Sequence, residues 1–491
     1  MPQNEWEIAI DKFEGFAPAF WENANPTFAN KGHASDMQNV DMIDPSVMTQ
    51  GQGLSNLTNG TQAAAVTTLI KGMLKISPDG TNCYGVGGNK FYKFTSTAVT
   101  NAGDWPHTIT AASGTAAGED VAYYKGYYFY SYDYSGAGDI GRFDGTSTFD
   151  DNYMSTVPTG GSTLQDAVPH QMIVAGDDKL YIANGQYVAS FDGTTFVDQA
   201  LDFPSSSVVQ SLLWEHNKIY IAVNRPGLTT DAFVEASIYL WDTTSSSWEY
   251  QIRVPGKIGS LYTKNGVVFL YYLDASSSGA YHLAFMEGNQ LRDVAAFTGS
   301  LPNYYQTLDY KNHLAFLSGG ELWLWGASSH DLPVKLTQYA DAGYATAGGI
   351  TNAFGTPIIS SNETTSYKLA KLSGYDVNAS WKSILFDLSS SSNTAYISSV
   401  VVFAEAMSTG ARLDAVITFN YGTKNTTADA QKQPSSIAYD SVDTEKTRHV
   451  ILRKSVNVEN FRVDLDWSNG SATNPVKVRK ILIRGYYATD K

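Results

Sequence analysis

The stretch from Met172 to Phe196, MIVAGDDKLYIANGQYVASFDGTTF, alternates apolar and polar positions in three short runs separated by turn residues. Val174, then Leu180 and Ile182, then Tyr187, Ala189 and Phe191 recur with the period of two of a half-buried strand. Gly176-Asp177-Asp178, Asn184-Gly185 and Asp192-Gly193 supply the turns. The pattern predicts strand, turn, strand, turn, strand. Such a unit cannot bury its own apolar face, so it requires neighbours of its own kind.

Neighbours follow over residues 66–381. A polar turn feeding an alternating strand recurs at Lys125 to Tyr130, Asn217 to Ala222, Asn265 to Leu270 and Lys311 to Phe316. The closing hairpin is echoed at Asp139 to Phe149, Ser237 to Trp248 and Glu321 to Ser329, and more faintly at Asn89 to Thr97 and Ser366 to Gly374. Copies are spaced by roughly 40 to 50 residues, the length of one four-stranded blade. The expected fold is therefore all-β, a β-propeller of about six or seven blades whose closed ring protects its sheet edges. A long β-sandwich or an open β-array is the alternative.

The flanks read differently. Residues 1–65 hold a strand around Trp6 to Ile10 and then a stretch, Ala34 to Gly60, with turn chemistry at Asp44-Pro45 and Gly51-Gln52-Gly53. This predicts an N-terminal extended arm with first strands. Residues 382–491 carry apolar runs at Ala395 to Phe403, Arg412 to Phe419, His449 to Arg453, Phe461 to Trp467 and Val476 to Arg484. About five strands with long polar connections predict a C-terminal β-sandwich of jelly-roll type. The polar stretch Thr423 to Glu445 reads as a long surface loop.

Composition sharpens this picture. With 31 Tyr, 22 Phe, 10 Trp and 42 Gly in 491 residues, the chain has the aromatic, glycine-turned make-up of a β protein. A formal charge of −15 argues against tight binding of DNA or RNA, while an acidic wall suits a conduit that DNA must not stick to. The lone Cys83 rules out a disulfide framework within the chain. No apolar run approaches the ~20 residues of a membrane span. The opening MPQNEWEIAI has no basic head and apolar core, so no secretory leader is expected in it.

Motifs of catalysis are not found. The eight His residues never fall at a His-Glu-x-x-His spacing, and there is neither a Gly-x-Ser-x-Gly elbow nor a glycine loop leading to Lys-Ser/Thr. Asp144, Asp192, Asp242 and Glu321 are the acids that would converge on a propeller channel to act on sugars. The turn reading is stronger, because Asp144-Gly145 and Asp192-Gly193 stand where a hairpin wants Asp-Gly. Tyr123, Tyr124, Tyr127, Tyr128, Tyr130, Tyr132 and Tyr134 crowd one blade, as packing before sugar stacking. Asp177-Asp178 is conceivable for calcium, though adjacent acids in a turn are ordinary. No catalytic, cofactor or metal residue is assigned, and no cofactor is expected.

Phe13, Gly15, Asn39, Val40, Asp41, Pro45 and Gly51 lie in FEGFAPAF and ASDMQNVDMIDPSVMTQGQG, which resemble the opening of many tailed-bacteriophage virion proteins. Phe16 and Ser46 depart from that pattern, as does Gln50 where a basic residue is common. The end of the chain, ISSVVVFAEAMSTGARLDAVITFNYG and then VKVRKILIRGYY, resembles the sandwich that closes such proteins. With a propeller between, the chain is similar to tail nozzle or tail-hub proteins. Ser77-Pro78-Asp79-Gly80-Thr81 also resembles the sialidase Asp-box, without its aromatic residue.

The resemblance implies a non-enzymatic subunit of the phage tail, made in the host cytoplasm and carried in the virion. It implies a homo-oligomeric ring of about six copies attached below the portal and adaptor. The ring forms part of the DNA exit tube for genome ejection, and DNA passes without specific binding. Asp36, Asn39, Val40, Asp41, Met42 and Pro45 are the expected subunit-interface residues. A receptor- or glycan-binding propeller, hinted at by Trp241 and Trp325, is the alternative, and a glycan-active enzyme stands behind it.

Overall fold

The computed structural model describes residues 4–13, 34–42, 44, 46–57, 66–225, 235–274, 280–298, 300–318, 320–325, 334–338, 344–363, 366–374, 378–388, 393–405, 412–419, 431–435, 449–452, 456–458, 460–468 and 475–489. By internal contact the chain divides into two compact units. One is 55–320 with 340–371, and the other is 1–54 with 321–339 and 372–491.

The first unit holds the innermost strands of the propeller. The unit that opened the sequence reading is a four-stranded antiparallel blade, Met172–Val174, Leu180–Asn184, Tyr187–Phe191 and Phe196–Asp202. The blade before it is Ala117–Tyr124, Tyr127–Tyr134, Ala137–Phe143 and Phe149–Asp150. The inner strands of the series are Gly72–Met73, Ala117–Tyr124, Met172–Val174, Val208–Glu215, Gly256–Lys264, Thr307–Tyr310 and Tyr344–Thr351. Each contacts the next, and Tyr344–Thr351 contacts Gly72–Met73. The described residues thus form a closed ring of seven blades.

Closure joins distant parts of the chain. The blade of Tyr344–Thr351, Ile358–Glu363 and Ser366–Leu372 takes its fourth strand, Leu54–Asn56, from the start of the chain. The Leu57 N–H donates to the Leu369 carbonyl at 2.9 Å beside it. A latch of this kind leaves no open end in the series of blades.

Turn chemistry explains the hairpins. Lys125-Gly126, Asn265-Gly266 and Lys311-Asn312 all adopt positive φ, the conformation that twists two strands into a tight antiparallel pair. Burial departs from the expected half-buried alternation, since Cys83–Gly87, Leu180–Asn184 and His313–Ser318 are buried at every position. A strand inside a ring of blades has a sheet on either face, so both faces are core. Between the first two blades, Tyr84 lies 4.2 Å from Tyr128 and Phe91 stacks at 4.5 Å on Tyr130, ring centre to ring centre. Such pairs contribute about 0.5–1.5 kcal/mol each beyond the area they bury.

The second unit contains a sandwich of two antiparallel sheets. Asn393–Ala404 and Lys477–Thr489 lead one sheet, while Asn378–Ser383, Arg412–Phe419 and Asn460–Ser468 lead the other. Both turn apolar side chains into one core, with Val400, Val402, Ile481 and Ile483 from one side and Trp381, Ile417, Val463 and Leu465 from the other.

The expected N-terminal arm is part of this sandwich. Asn4–Ile10 pairs along its whole length with Lys477–Thr489, Ile8 opposite Ile483. Ala34–Gln38 pairs with Asn378–Ser383, and Met48–Gln50 joins the edge of Lys477–Thr489. Ile8, Ile10, Met37, Val40 and Met48 are core residues. Apolar side chains at those positions leave an extended arm no way to avoid exposing them. The boundary expected at 381 moves as well, because Trp381 is buried in the sandwich. Within the expected loop Thr423 to Glu445, Gln431–Ser435 is a strand beside Arg412–Phe419.

Candidate functional site

The residues expected at a subunit interface form a corner inside the sandwich. Asn39 adopts φ 52°, a left-handed conformation that Asn tolerates better than most residues. There the chain leaves Ala34–Gln38 in one sheet and enters Val40–Asp41 in the other. The Asn39 side-chain amide donates to the Asn378 carbonyl at 3.1 Å, and its own carbonyl accepts from the Gly51 N–H at 2.6 Å.

Val40 and Met42 are fully buried and Asn39 nearly so. These three side chains are committed to their own core, which corrects the expectation that they face a neighbour. Asp41 is half-buried. The Asp36 side chain and Pro45 lie outside the described residues.

The candidate channel acids sit in turns. The Asp144 carboxylate accepts the N–H groups of Thr146, Ser147 and Thr148 at 2.8–3.0 Å. Asp192 does the same with Thr194 and Thr195, and Asp242 with Thr244 and Ser245. These bonds, led by the one from Thr148 to Asp144, hold the carboxyls below the usual range. Each turn follows the third strand of its blade, away from the innermost strands. Glu321 begins the strand Glu321–Trp325 and is half-buried. Asp79 in the Asp-box-like stretch is another turn, its carboxylate taking the N–H groups of Thr81 and Asn82.

The aromatic candidates are mostly packing. Tyr124, Tyr128, Tyr130, Tyr132 and Tyr134 are buried, and Tyr123 is exposed. Trp241 is buried and donates its indole N–H to the Ser245 carbonyl at 2.8 Å. Asp177 accepts the Tyr181 hydroxyl at 2.7 Å, and Asp178 pairs with Lys125 at 3.2 Å. Among the described residues no three His, Cys, Asp or Glu side chains stand together as a metal site, and no helix is long and apolar enough to cross a membrane.

Where the innermost strands converge, the propeller holds a charged cluster that sequence reasoning missed. Glu119 and Asp120 lie on Ala117–Tyr124, and Lys71 and Lys75 flank Gly72–Met73. Lys71 forms an ion pair with Glu119 at 2.5 Å. Asp120 is buried and accepts the Met172 N–H from the next blade at 2.8 Å. The Lys75 ammonium donates to the carbonyls of Ile350 at 2.6 Å and Tyr305 at 3.2 Å. Gly72 permits this convergence, since a Cβ there would stand 2.3 Å from the Asp120 Cα.

Burial sets the electrostatics. Loss of water pushes the Asp120 carboxyl up to about 7, against the pull of the Met172 and Val121 N–H groups and of Lys75. Loss of water also brings Lys75 down to about 8, against the attraction of Asp120. An acid and an amine that both change charge near neutral pH thus line one cavity of about 220 Å³. Trp214, Tyr262, Tyr304 and Tyr305 line it too. At about 30 Å³ per water it holds roughly seven waters. The signal in the sequence was the pair Glu119-Asp120 inside a strand, where charge is rare unless paired.

No family model matches this chain, and no curated relative does either. Among solved structures, the exo-beta-1,3-galactanase of Phanerochaete chrysosporium is similar at 10% identity and a TM-score of 0.33, over 89% of this chain and 100% of that one. Drosophila Semaphorin 1a, extracellular domains 1-2, is similar at 9% identity and a TM-score of 0.41, over 65% of this chain and 88% of that one. At such values neither says anything of this chain's activity or partners.

Proposed function

We propose that this chain is a non-enzymatic structural subunit of a bacteriophage tail, of nozzle or hub type, working in a ring of its own copies below portal and adaptor. One observation carries the reading. Of the stretches that resemble such proteins, Ala34 to Gly53 at the head and Val476 to Tyr487 at the end supply neighbouring strands of one sandwich, while residues 14–20 of FEGFAPAF lie outside the described residues. Met48 stands opposite Val478, and Gln50 accepts the Val476 N–H at 2.9 Å. Two separate matches thereby become one module, with the propeller inserted between its halves.

In this reading an ejected genome runs along the axis of the ring of subunits. A net charge of −15 would keep that genome from adhering. The test is an infection in which this chain is not made. DNA-filled heads without finished tails are expected, and normal, infectious particles would contradict the proposal.

A further inference from the structure

The cavity at the centre of the propeller has unused hydrogen-bonding capacity of a particular kind. An ammonium has three donors, and Lys75 uses two of them on the carbonyls of Ile350 and Tyr305. The Tyr305 hydroxyl accepts from the Asn303 amide at 3.1 Å, and its own hydrogen has no partner among the described residues. The Trp214 indole N–H has none among them either. Asp120 supplies a carboxyl that accepts the Met172 N–H at Oδ2 and also draws on the Val121 N–H, with lone pairs left for a further donor. Leu213 and Leu261 complete the wall with apolar surface.

Charge selects among ligands. The lining carries one ammonium, Lys75, and one carboxyl, Asp120, so it holds no excess of either sign. A neutral molecule that both donates and accepts hydrogen bonds, and that offers a C–H face to aromatic rings, satisfies this lining best. Volume sets the size, because space for roughly seven waters admits one six-membered ring with its hydroxyls and no more.

We propose that the central cavity of the propeller binds one neutral hexose-sized sugar, its hydroxyls held between Asp120, Lys75 and Tyr305 and its C–H face against Trp214. This site is independent of the tail assignment and would stand without it. On a longer glycan, the residue that enters is a chain end, since the cavity has no room for a second ring.

The test is titration of the full chain, by calorimetry and saturation-transfer NMR, with D-glucose, D-galactose, D-mannose and N-acetyl-D-glucosamine. One-to-one binding of at least one of them is expected at concentrations up to about 10 mM. Leu213→Trp, which fills the half-buried wall of the cavity, should weaken that binding about tenfold or more. Asp120→Asn keeps an acceptor for the Met172 N–H while removing the charge, and should weaken it at least several-fold. Absence of binding by all four sugars, or binding unchanged in both variants, would overturn the proposal. Should a variant not fold, the wild-type chain crystallised with the bound sugar decides. Density in the cavity supports the site, and density only elsewhere refutes it.

Discussion

The side-chain amide of Asn39 reaches the backbone carbonyl of Asn378 at 3.1 Å from a residue whose own φ is 52°. One residue thereby turns the chain from one sheet of the sandwich to the other and ties it to a strand 339 positions away. Asn39→Gly keeps the left-handed backbone and loses the bond, so it should cost about 1 kcal/mol. Asn39→Val loses both and should cost about 2–3 kcal/mol. Urea unfolding of the two variants checks the order, and equal effects would show that the backbone conformation is immaterial.

Gln50 makes a second tie between the ends of the chain. It is fully buried, and Gln50→Leu would leave the buried Val476 N–H without its acceptor. A loss of about 1–3 kcal/mol is expected. The readout is the unfolding midpoint of the sandwich, and an unchanged midpoint would mean that water reaches the Val476 amide.

At the hub of the propeller, Gly72 lies against Asp120 too closely for a side chain. Gly72→Ala must push the first two inner strands apart, at a cost of about 1–3 kcal/mol. Hydrogen exchange at the Asp120 and Met172 amides should rise in this variant. If exchange there is unchanged, the strands have slack that the geometry denies.

Asp120 makes stability depend on pH. Its carboxyl titrates at about 7 in the folded chain because it is buried, whereas an unfolded Asp titrates near about 3.9. Between those values the folded state binds more protons than the unfolded one. Stability from this group is therefore fully present below about pH 4 and falls as pH rises to about 7. Asp139, raised to about 6 by burial, and Glu119, raised by burial against Lys71, act in the same direction. Asp120→Asn should flatten the fall without abolishing it, as denaturant midpoints from pH 4 to 7 would report. An unaltered slope would place the titration on other groups.

The blades were legible in the sequence because their signals are local. Lys125-Gly126 and Asn184-Gly185 mark hairpins within a few residues of the strands they join, and Tyr128, Tyr130 and Tyr132 show the period of two directly. Three other features depend on distant partners. Leu54–Asn56 is three residues long and becomes a blade strand only beside Ser366–Leu372. Ala34–Gln38 and Met48–Gln50 are too short to carry a period, and their sandwich partners lie more than 300 residues on. Lys75 reaches the carbonyls of Tyr305 and Ile350 only once the ring has closed, so beyond the Glu119-Asp120 pair nothing local announced the cavity. The same locality explains Asp144 and Asp192, where the Asp-Gly turn was readable and the carboxylates bond the N–H groups of that turn.

The measurement that bears most directly on the tail assignment is quantitative mass spectrometry of density-purified phage particles from cells expressing this chain, with the portal protein as internal standard. The account predicts a fixed stoichiometry near one copy per two portal subunits. Absence of the chain from the particle, or a variable trace of it, would contradict the account.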